Sequence, residues 1–263
     1  MSQIDVKTKA GQVKRYAQIM LALLRLEELN RRRNPMEALM LMMEPVFLIA
    51  TLTTLWMFLG RKAAVLGATP VLFYATGLFI VYFFIFISRR MRRAVDPPTR
   101  RFPIERRLDH IVTHIVIRTF DYSVLSIPLF GIIYVFFDRN AWPHDWGAVL
   151  GAALAIIALS FGWGIASIAL GHYFWFWTRV YPVINRSLLI FSGVFFLPDF
   201  VSPSVRYFLG WNPVLHAVAL FRSGFYPDYP HLLLDTKYLA ACALAAVAAG
   251  LVIERTTRKT ESV

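Results

Sequence analysis

The 263-residue chain is 57% hydrophobic, 15% aromatic and only 17% charged, and 28 Lys+Arg against 16 Asp+Glu leave a net charge of +12. A soluble domain runs at about 45–50% apolar and about 25% charged, so this composition excludes a soluble cytosolic enzyme, a disordered chain and a collagen-like chain and points to a polytopic membrane protein. The single cysteine, Cys242, excludes an intramolecular disulfide framework and a Cys-based zinc site.

The chain shows no cleavable signal pattern at its start. Gln12 to Arg33 instead predicts an amphipathic helix, with Lys14, Gln18, Arg25, Glu28 and Arg32 on one face and Val13, Ala17, Met20 and Leu24 on another. Such a helix lies in the headgroup layer. Asn34-Pro35 ends it, because the residue before proline is pushed out of the helical region.

A spanning helix needs about 20 mostly apolar residues. Ala38–Leu59 is the first such stretch and Thr69–Ser88 the second. The third is His110–Phe137, with Pro128 as a kink, and the fourth, Trp146–Trp177, is longer than one crossing needs. Val183–Leu197 is a short fifth, and Lys237–Ile253 is the last. Between these two, Pro198–Thr236 holds two short apolar pieces, Val205–Trp211 and Val214–Phe225, in a stretch broken by Pro203, Gly210 and Pro213. Neither is long enough to cross, so each is read as a re-entrant half-helix or an outer cap. With six spans, twenty Lys and Arg fall on the side of the N-terminus and six on the other, with Arg118 and Arg186 inside spans. That bias places both termini in the cytoplasm. It accounts for the basic charge without nucleic acid.

No phosphate-cradling G-x-x-x-x-G-K-[ST] loop, H-E-x-x-H or G-x-S-x-G is present, so neither a nucleotide site of that kind nor a catalytic residue is assigned. The six histidines are scattered, and His110 and His114, one turn apart, read as interfacial rather than as a metal site. Arg89–Asp109 is the most unusual segment. Arginine dominates it, and Pro97, Pro98 and Pro103 break it. A loop that only set topology and touched anionic lipid would not need Phe102, Ile104 and Leu108. The alternative is a docking surface for a cytoplasmic partner, carried by Arg100, Arg101, Phe102, Pro103, Arg106 and Arg107.

Glu44, beside Pro45, is either a boundary carboxylate or one that faces protein or water. Arg118 and Asp121 stand three apart and pair on one helix face, or Arg118 faces a polar path. Arg186 either snorkels to headgroups or lines water. The aromatics from Tyr173 to Trp177, including Trp175 and Trp177, form an interfacial belt or a stacking surface for sugar rings. Small residues at Ser160/Gly164 and Ser167/Gly171, and the alanines of the last span, favour close helix packing.

Several motifs together carry a family resemblance. They are Met43-Glu44-Pro45, Phe84-Ile85-Phe86-Ile87-Ser88, Leu108-Asp109, Ser192-Gly193-Val194-Phe195-Phe196 and, most specific, Trp211-Asn212-Pro213-Val214-Leu215-His216 running on to Phe221-Arg222-Ser223-Gly224-Phe225. Over nearly its whole length the chain resembles the membrane subunit of ABC-2 type polysaccharide exporters, most closely the capsule-export permeases. It departs at Ala219, where the family often carries glutamate, and in an unusually arginine- and proline-rich loop before the third span.

The resemblance implies an all-α membrane protein of the bacterial inner membrane. It would have a cytoplasmic segment 1–37, a transmembrane domain 38–253 with six spans and re-entrant helices between the last two, and a cytoplasmic tail 254–263. It also implies a homodimer over two copies of a cytoplasmic ATPase, with ATP and Mg in that partner and no cofactor in this chain. The N-terminal helix and the 89–109 loop would rest on the ATPase. Glu44, Arg118, Trp175, Trp177 and Arg186 would serve the substrate path, and Trp211, Asn212, Pro213, His216 and Arg222 the outer gate. The cargo would be a lipid-linked, acidic capsular polysaccharide, with O-antigen, teichoic acid or lipo-oligosaccharide as the alternatives, and a periplasmic adaptor is compatible. A membrane-embedded transferase or a plain membrane anchor are the competing classes.

Overall fold

Apolar runs bounded by proline, asparagine and aspartate become helices with defined ends. The computed structural model describes residues 18, 20–25, 28–29, 35–58, 69–95 and 107–260. Among them the long elements are α1 (Pro35–Phe58), α2 (Pro70–Val95), α3 (Arg107–Phe136), α4 (Trp146–Tyr173), α5 (Trp177–Phe191), α6 (Pro203–Leu209), α7 (Pro213–Ser223) and α8 (Thr236–Thr260). No strand occurs among the described residues. Proline stands at the first position of α1, α2, α6 and α7, where its missing N–H is no loss. Asp145 caps α4, its Oδ1 accepting from the Gly147 N–H at 2.8 Å and the Ala148 N–H at 3.2 Å. Of the N-terminal amphipathic helix, residues 18, 20–25 and 28–29 are described and helical, with Gln18 and Arg25 exposed and Leu23 buried. Met20 receives the Thr113 hydroxyl at its sulfur.

Four helical stretches are long and apolar enough to cross a membrane: Pro70–Arg89, Leu108–Phe136, Trp146–Tyr173 and Thr236–Thr256; Met43–Phe58 is a shorter apolar helix. The first two expected spans and the last lie within a few residues of α1, α2 and α8. The fourth stretch ends at Tyr173 and a short break precedes α5, which therefore begins at Trp177 rather than Val183 and takes Pro182 inside it. α5 stops at Phe191 rather than Leu197 because Gly193 adopts φ +70°, a left-handed conformation that glycine reaches without strain. Its 15 residues rise about 22 Å, short of the roughly 30 Å of a hydrocarbon core.

α2 lies at the centre. Nearly every side chain from Val71 to Ser88 is buried, and α1, α3, α4 and α7 pack around it. The opposite holds for α3 and α8, whose outward faces expose Phe120, Ile127, Val135, Phe136, Leu244 and Val252. Apolar faces of this extent are at home against lipid tails. α8 packs chiefly on α4. A Cβ on Gly162 of α4 would run into the Ala246 backbone carbonyl of α8, and one on Gly164 into the Met91 sulfur of α2. Ser160 also donates to the Phe84 carbonyl at 3.3 Å. The small residues of α4 thus let two helices approach closely on different sides, as small-residue packing in membranes requires. Gly162→Val is expected to separate α4 from α8 and lower the detergent-solubilised melting temperature by several degrees, whereas Gly131→Ala, which meets open space, should leave it unchanged. Equal melting temperatures for the two variants would remove that account of the α4–α8 contact.

Candidate transport path and capped end

The two ends of the bundle are built differently. One carries Arg89, the start of α3 and the α4–α5 break, and is called the basic end. The other is closed by the segment from Pro198 to Asp235, which includes α6 and α7.

The capped end is tied together by side chains that reach across long stretches of sequence. Asn212 caps α7, its Oδ1 accepting from the Val214 N–H at 3.0 Å, while its Nδ2 donates to the Phe191 carbonyl and the Ser192 hydroxyl, each at 3.1 Å. One side chain therefore starts α7 and holds the end of α5. Pro213 supplies the first helical position of α7. His216 is buried. Its Nδ1 accepts from the Asp235 N–H at 3.1 Å, which puts the proton on Nε2, where it is given to the Gly210 carbonyl at 2.8 Å. Trp211 is exposed, yet its carbonyl accepts from the Tyr238 hydroxyl at 2.9 Å, linking the cap to α8.

Arg222 is fully buried at the centre of this end. Its Nη1 donates to the Gly193 carbonyl at 2.7 Å, and its Nη2 to the Phe73 and Val194 carbonyls at 3.1 Å each. The guanidinium lies over the Phe73 ring, 3.9 Å from ring centroid to Cζ. A planar fork with five donors suits three backbone oxygens in different directions. Gly77 makes room for it, since a Cβ there would stand 2.6 Å from Nη2. Behind Arg222, burial pushes the Tyr226 and Tyr229 phenols up from their ordinary value, so both stay neutral. All five residues expected at an outer gate thus sit in one connected structure.

The residues expected along a substrate path are spread more widely. Arg118 and Asp121 form a buried pair on α3, Nη1 to Oδ2 at 3.0 Å, with the guanidinium 5.2 Å over the Phe86 ring. Glu44 of α1 is half-exposed. Arg89 approaches its carboxylate at 3.9 Å, and the Tyr82 hydroxyl donates to it at 3.5 Å. Arg186 of α5 is exposed and lies within electrostatic reach of Tyr82. Trp175 is exposed at the basic end, with the Arg179 guanidinium 5.7 Å over its ring. Trp177 turns inward, its Nε1 donating to the Ser167 hydroxyl at 2.9 Å. Arg100, Arg101, Phe102, Pro103 and Arg106 lie outside the described residues, as does the side chain of Arg107. Among the described residues no three His, Cys, Asp or Glu side chains come together as a metal site.

Several structural residues escape sequence reasoning. Asp138 accepts from the Thr69 N–H at 3.1 Å, the Thr69 hydroxyl at 3.2 Å and the Asn140 N–H at 2.9 Å, joining the start of α2 to the end of α3. Asp199 accepts from the Leu233 N–H at 3.1 Å, and Tyr181 donates to Ser88 at 3.0 Å. The one local signal was Asp138 two residues before Asn140, a turn pattern; the other partners are distant in sequence.

Comparison with known proteins follows the same outline. A family model described as ABC-2 type transporter matches residues 18–226. The capsule polysaccharide export inner-membrane protein BexB of Haemophilus influenzae is 27% identical over 152 residues, which is 58% of this chain and 57% of that protein. The polysialic acid transport protein KpsM of Escherichia coli is 27% identical over 187 residues, 70% of this chain and 72% of that protein. The capsule polysaccharide export inner-membrane protein CtrC of Neisseria meningitidis is 22% identical over 227 residues, 84% and 83% of the two chains.

Proposed function

The chain belongs to the ABC-2 type transporter family, and from that premise we propose that it is the membrane subunit of an ATP-driven exporter that carries a lipid-linked capsular polysaccharide across the bacterial inner membrane. The observation that carries this reading is the match to a polysialic acid transport protein over 72% of that protein's length. In this reading α1 and α5 complete six spans with the four long apolar helices, and both termini are cytoplasmic. Two copies of the chain pair above two copies of a cytoplasmic ATPase, which binds ATP and Mg. A periplasmic adaptor is a further partner at the capped end.

The segment around α6 and α7 is re-entrant and closes the outer end. Its connected hydrogen bonds favour motion of Trp211, Asn212, Pro213, His216 and Arg222 as one unit rather than as separate flaps. Glu44, Arg118, Trp175, Trp177 and Arg186 serve the path of the polymer, with Arg118 and Arg186 offsetting acidic sugars in a desolvated setting. Arg100, Arg101, Phe102, Pro103, Arg106 and Arg107 receive the motion of the ATPase.

Affinity purification of the tagged chain in mild detergent tests this directly. A stoichiometric ATPase with a phosphate-cradling loop is expected to copurify. It should be lost when Arg100, Arg101, Arg106 and Arg107 are all changed to Glu, with the membrane level of the chain unchanged. A folded, dimeric preparation that brings no ATPase would overturn the transporter reading, and full ATPase binding by the four-fold variant would overturn the coupling assignment.

A further inference from the structure

Glu44 of α1 meets Tyr82 and Arg89 of α2 on one flank near the basic end, and exposed Arg186 of α5 lies within electrostatic reach of Tyr82. The geometry is that of an unfinished ion cluster. A tight guanidinium–carboxylate hydrogen bond closes to about 2.8 Å, but Arg89 and Glu44 stand 3.9 Å apart with both side chains about half exposed. The Tyr82 hydroxyl reaches the same carboxylate only at 3.5 Å. Arg186 is exposed on the amphipathic helix α5, and among the described residues no carboxylate is within ion-pairing distance of it. The cluster thus holds two guanidinium groups and one carboxylate, with a phenol as a further donor, and its net charge is positive.

We propose that this cluster binds the phosphate diester of a membrane phospholipid. Arg89 stands at the end of the apolar part of α2, at headgroup depth, while Tyr82 lies about 10 Å deeper along the helix. A headgroup phosphate entering from the bilayer would meet Arg89 first and accept from Arg186 and Tyr82 as Glu44 yields its place. Guanidinium recognises phosphate through paired N–H donors. One surplus positive charge matches the single negative charge of a phosphate diester, and an anionic headgroup fits better than a zwitterionic one, whose ammonium would meet Arg186. The inference rests on the chain spanning a bilayer and on nothing about the cargo, so lipid binding and export can fail separately.

The test uses the purified full chain in nanodiscs of phosphatidylcholine with a rising fraction of phosphatidylglycerol, reading the melting temperature at each composition. The fraction giving half of the stabilisation is expected to rise about ten-fold in Arg186→Gln and in Arg89→Gln, the scale of one charge-assisted contact. It should fall in Glu44→Gln, which removes the competing carboxylate. Arg255→Gln, an exposed position on α8, removes the same charge and should behave as wild type. Identical behaviour of Arg186→Gln and Arg255→Gln would reduce the effect to general surface charge and overturn the proposal. So would an equal response to soluble glycerol phosphate, which would assign the cluster to a free phosphate rather than a lipid.

Discussion

Changing Arg222 to Met is expected to produce the largest loss of any single substitution at the capped end. The guanidinium is fully buried and donates to three backbone oxygens, on Phe73, Gly193 and Val194. Methionine fills a similar length but donates nothing. The Phe73 oxygen keeps the Thr76 hydroxyl at 3.1 Å, but the Gly193 and Val194 oxygens lose their donor. Each buried acceptor left without a partner costs about 1–3 kcal/mol, so two of them are a substantial share of the roughly 5–15 kcal/mol that holds a domain together. The three oxygens also belong to different elements: Phe73 to the start of α2, and Gly193 and Val194 to the turn after α5. Their release would loosen the cap from the central helix, not merely soften α7. Arg222→Lys should lose less than methionine, because an ammonium keeps the charge and some of the donors, but more than nothing, because its single nitrogen cannot span the oxygens that two Nη atoms reach. Gly77→Ala acts from the other side by crowding Nη2. Melting temperature and membrane abundance are the measurements, with the expected order wild type, then Lys, then Met. A methionine variant as stable as wild type would mean that Arg222 does not hold the cap.

What separates legible from illegible features here is the range of the interaction. α7 was legible as Val214–Phe225 because an apolar run follows Asn-Pro, and the structure starts it at Pro213 with Asn212 as its cap. The Arg118–Asp121 pair was legible because residues three apart on a helix face each other. Ser160 and Gly164 announced close packing on α4, and Gly164 meets α2; Gly162, which meets α8, lay outside that spacing. The ends of α5 were not legible. The expected span ran from Val183 to Leu197, but the helix starts at Trp177 and contains Pro182, and its stop is the positive φ of Gly193, a backbone fact that composition does not carry. The role of Arg222 was still less visible, since its acceptors lie 149, 29 and 28 residues away in the chain. Glu44 read as a boundary or protein-facing carboxylate. Only the packing of α1 on α2 places it beside Tyr82 and Arg89. Length and apolarity pick out four spanning helices, because the apolar part of α1 is short and α5 has only 15 residues. Whether such short helices cross depends on the bilayer thinning or the helices pairing around them, which a hydropathy window does not record.

Asp121→Leu, paired with the double variant Arg118→Met/Asp121→Leu, separates what the buried ion pair does for folding from what it does for transport. The pair is buried to 4% and 1% exposure and closes at 3.0 Å. Removing the carboxylate alone takes its 3.0 Å acceptor from a buried guanidinium packed on Phe86 and is expected to cost about 3–5 kcal/mol, as breaking one half of a buried pair does. Removing both charges together eliminates the desolvation penalty along with the attraction, so the double variant should regain most of that loss. Phe86, whose ring centroid lies 5.2 Å from the Arg118 guanidinium, gives the substituted side chains an aromatic wall to pack against. Stability is read from the melting temperature in detergent, and transport from cell-surface polysaccharide at matched protein levels. A double variant that is stable and exports normally would confine the pair to folding. A double variant that is equally stable but exports at a small fraction of the wild-type level is the result expected if Arg118 meets the acidic polymer during transport. A double variant no more stable than Asp121→Leu would contradict the energetic argument itself, because two apolar side chains in that site would then be as costly as a buried guanidinium deprived of Asp121.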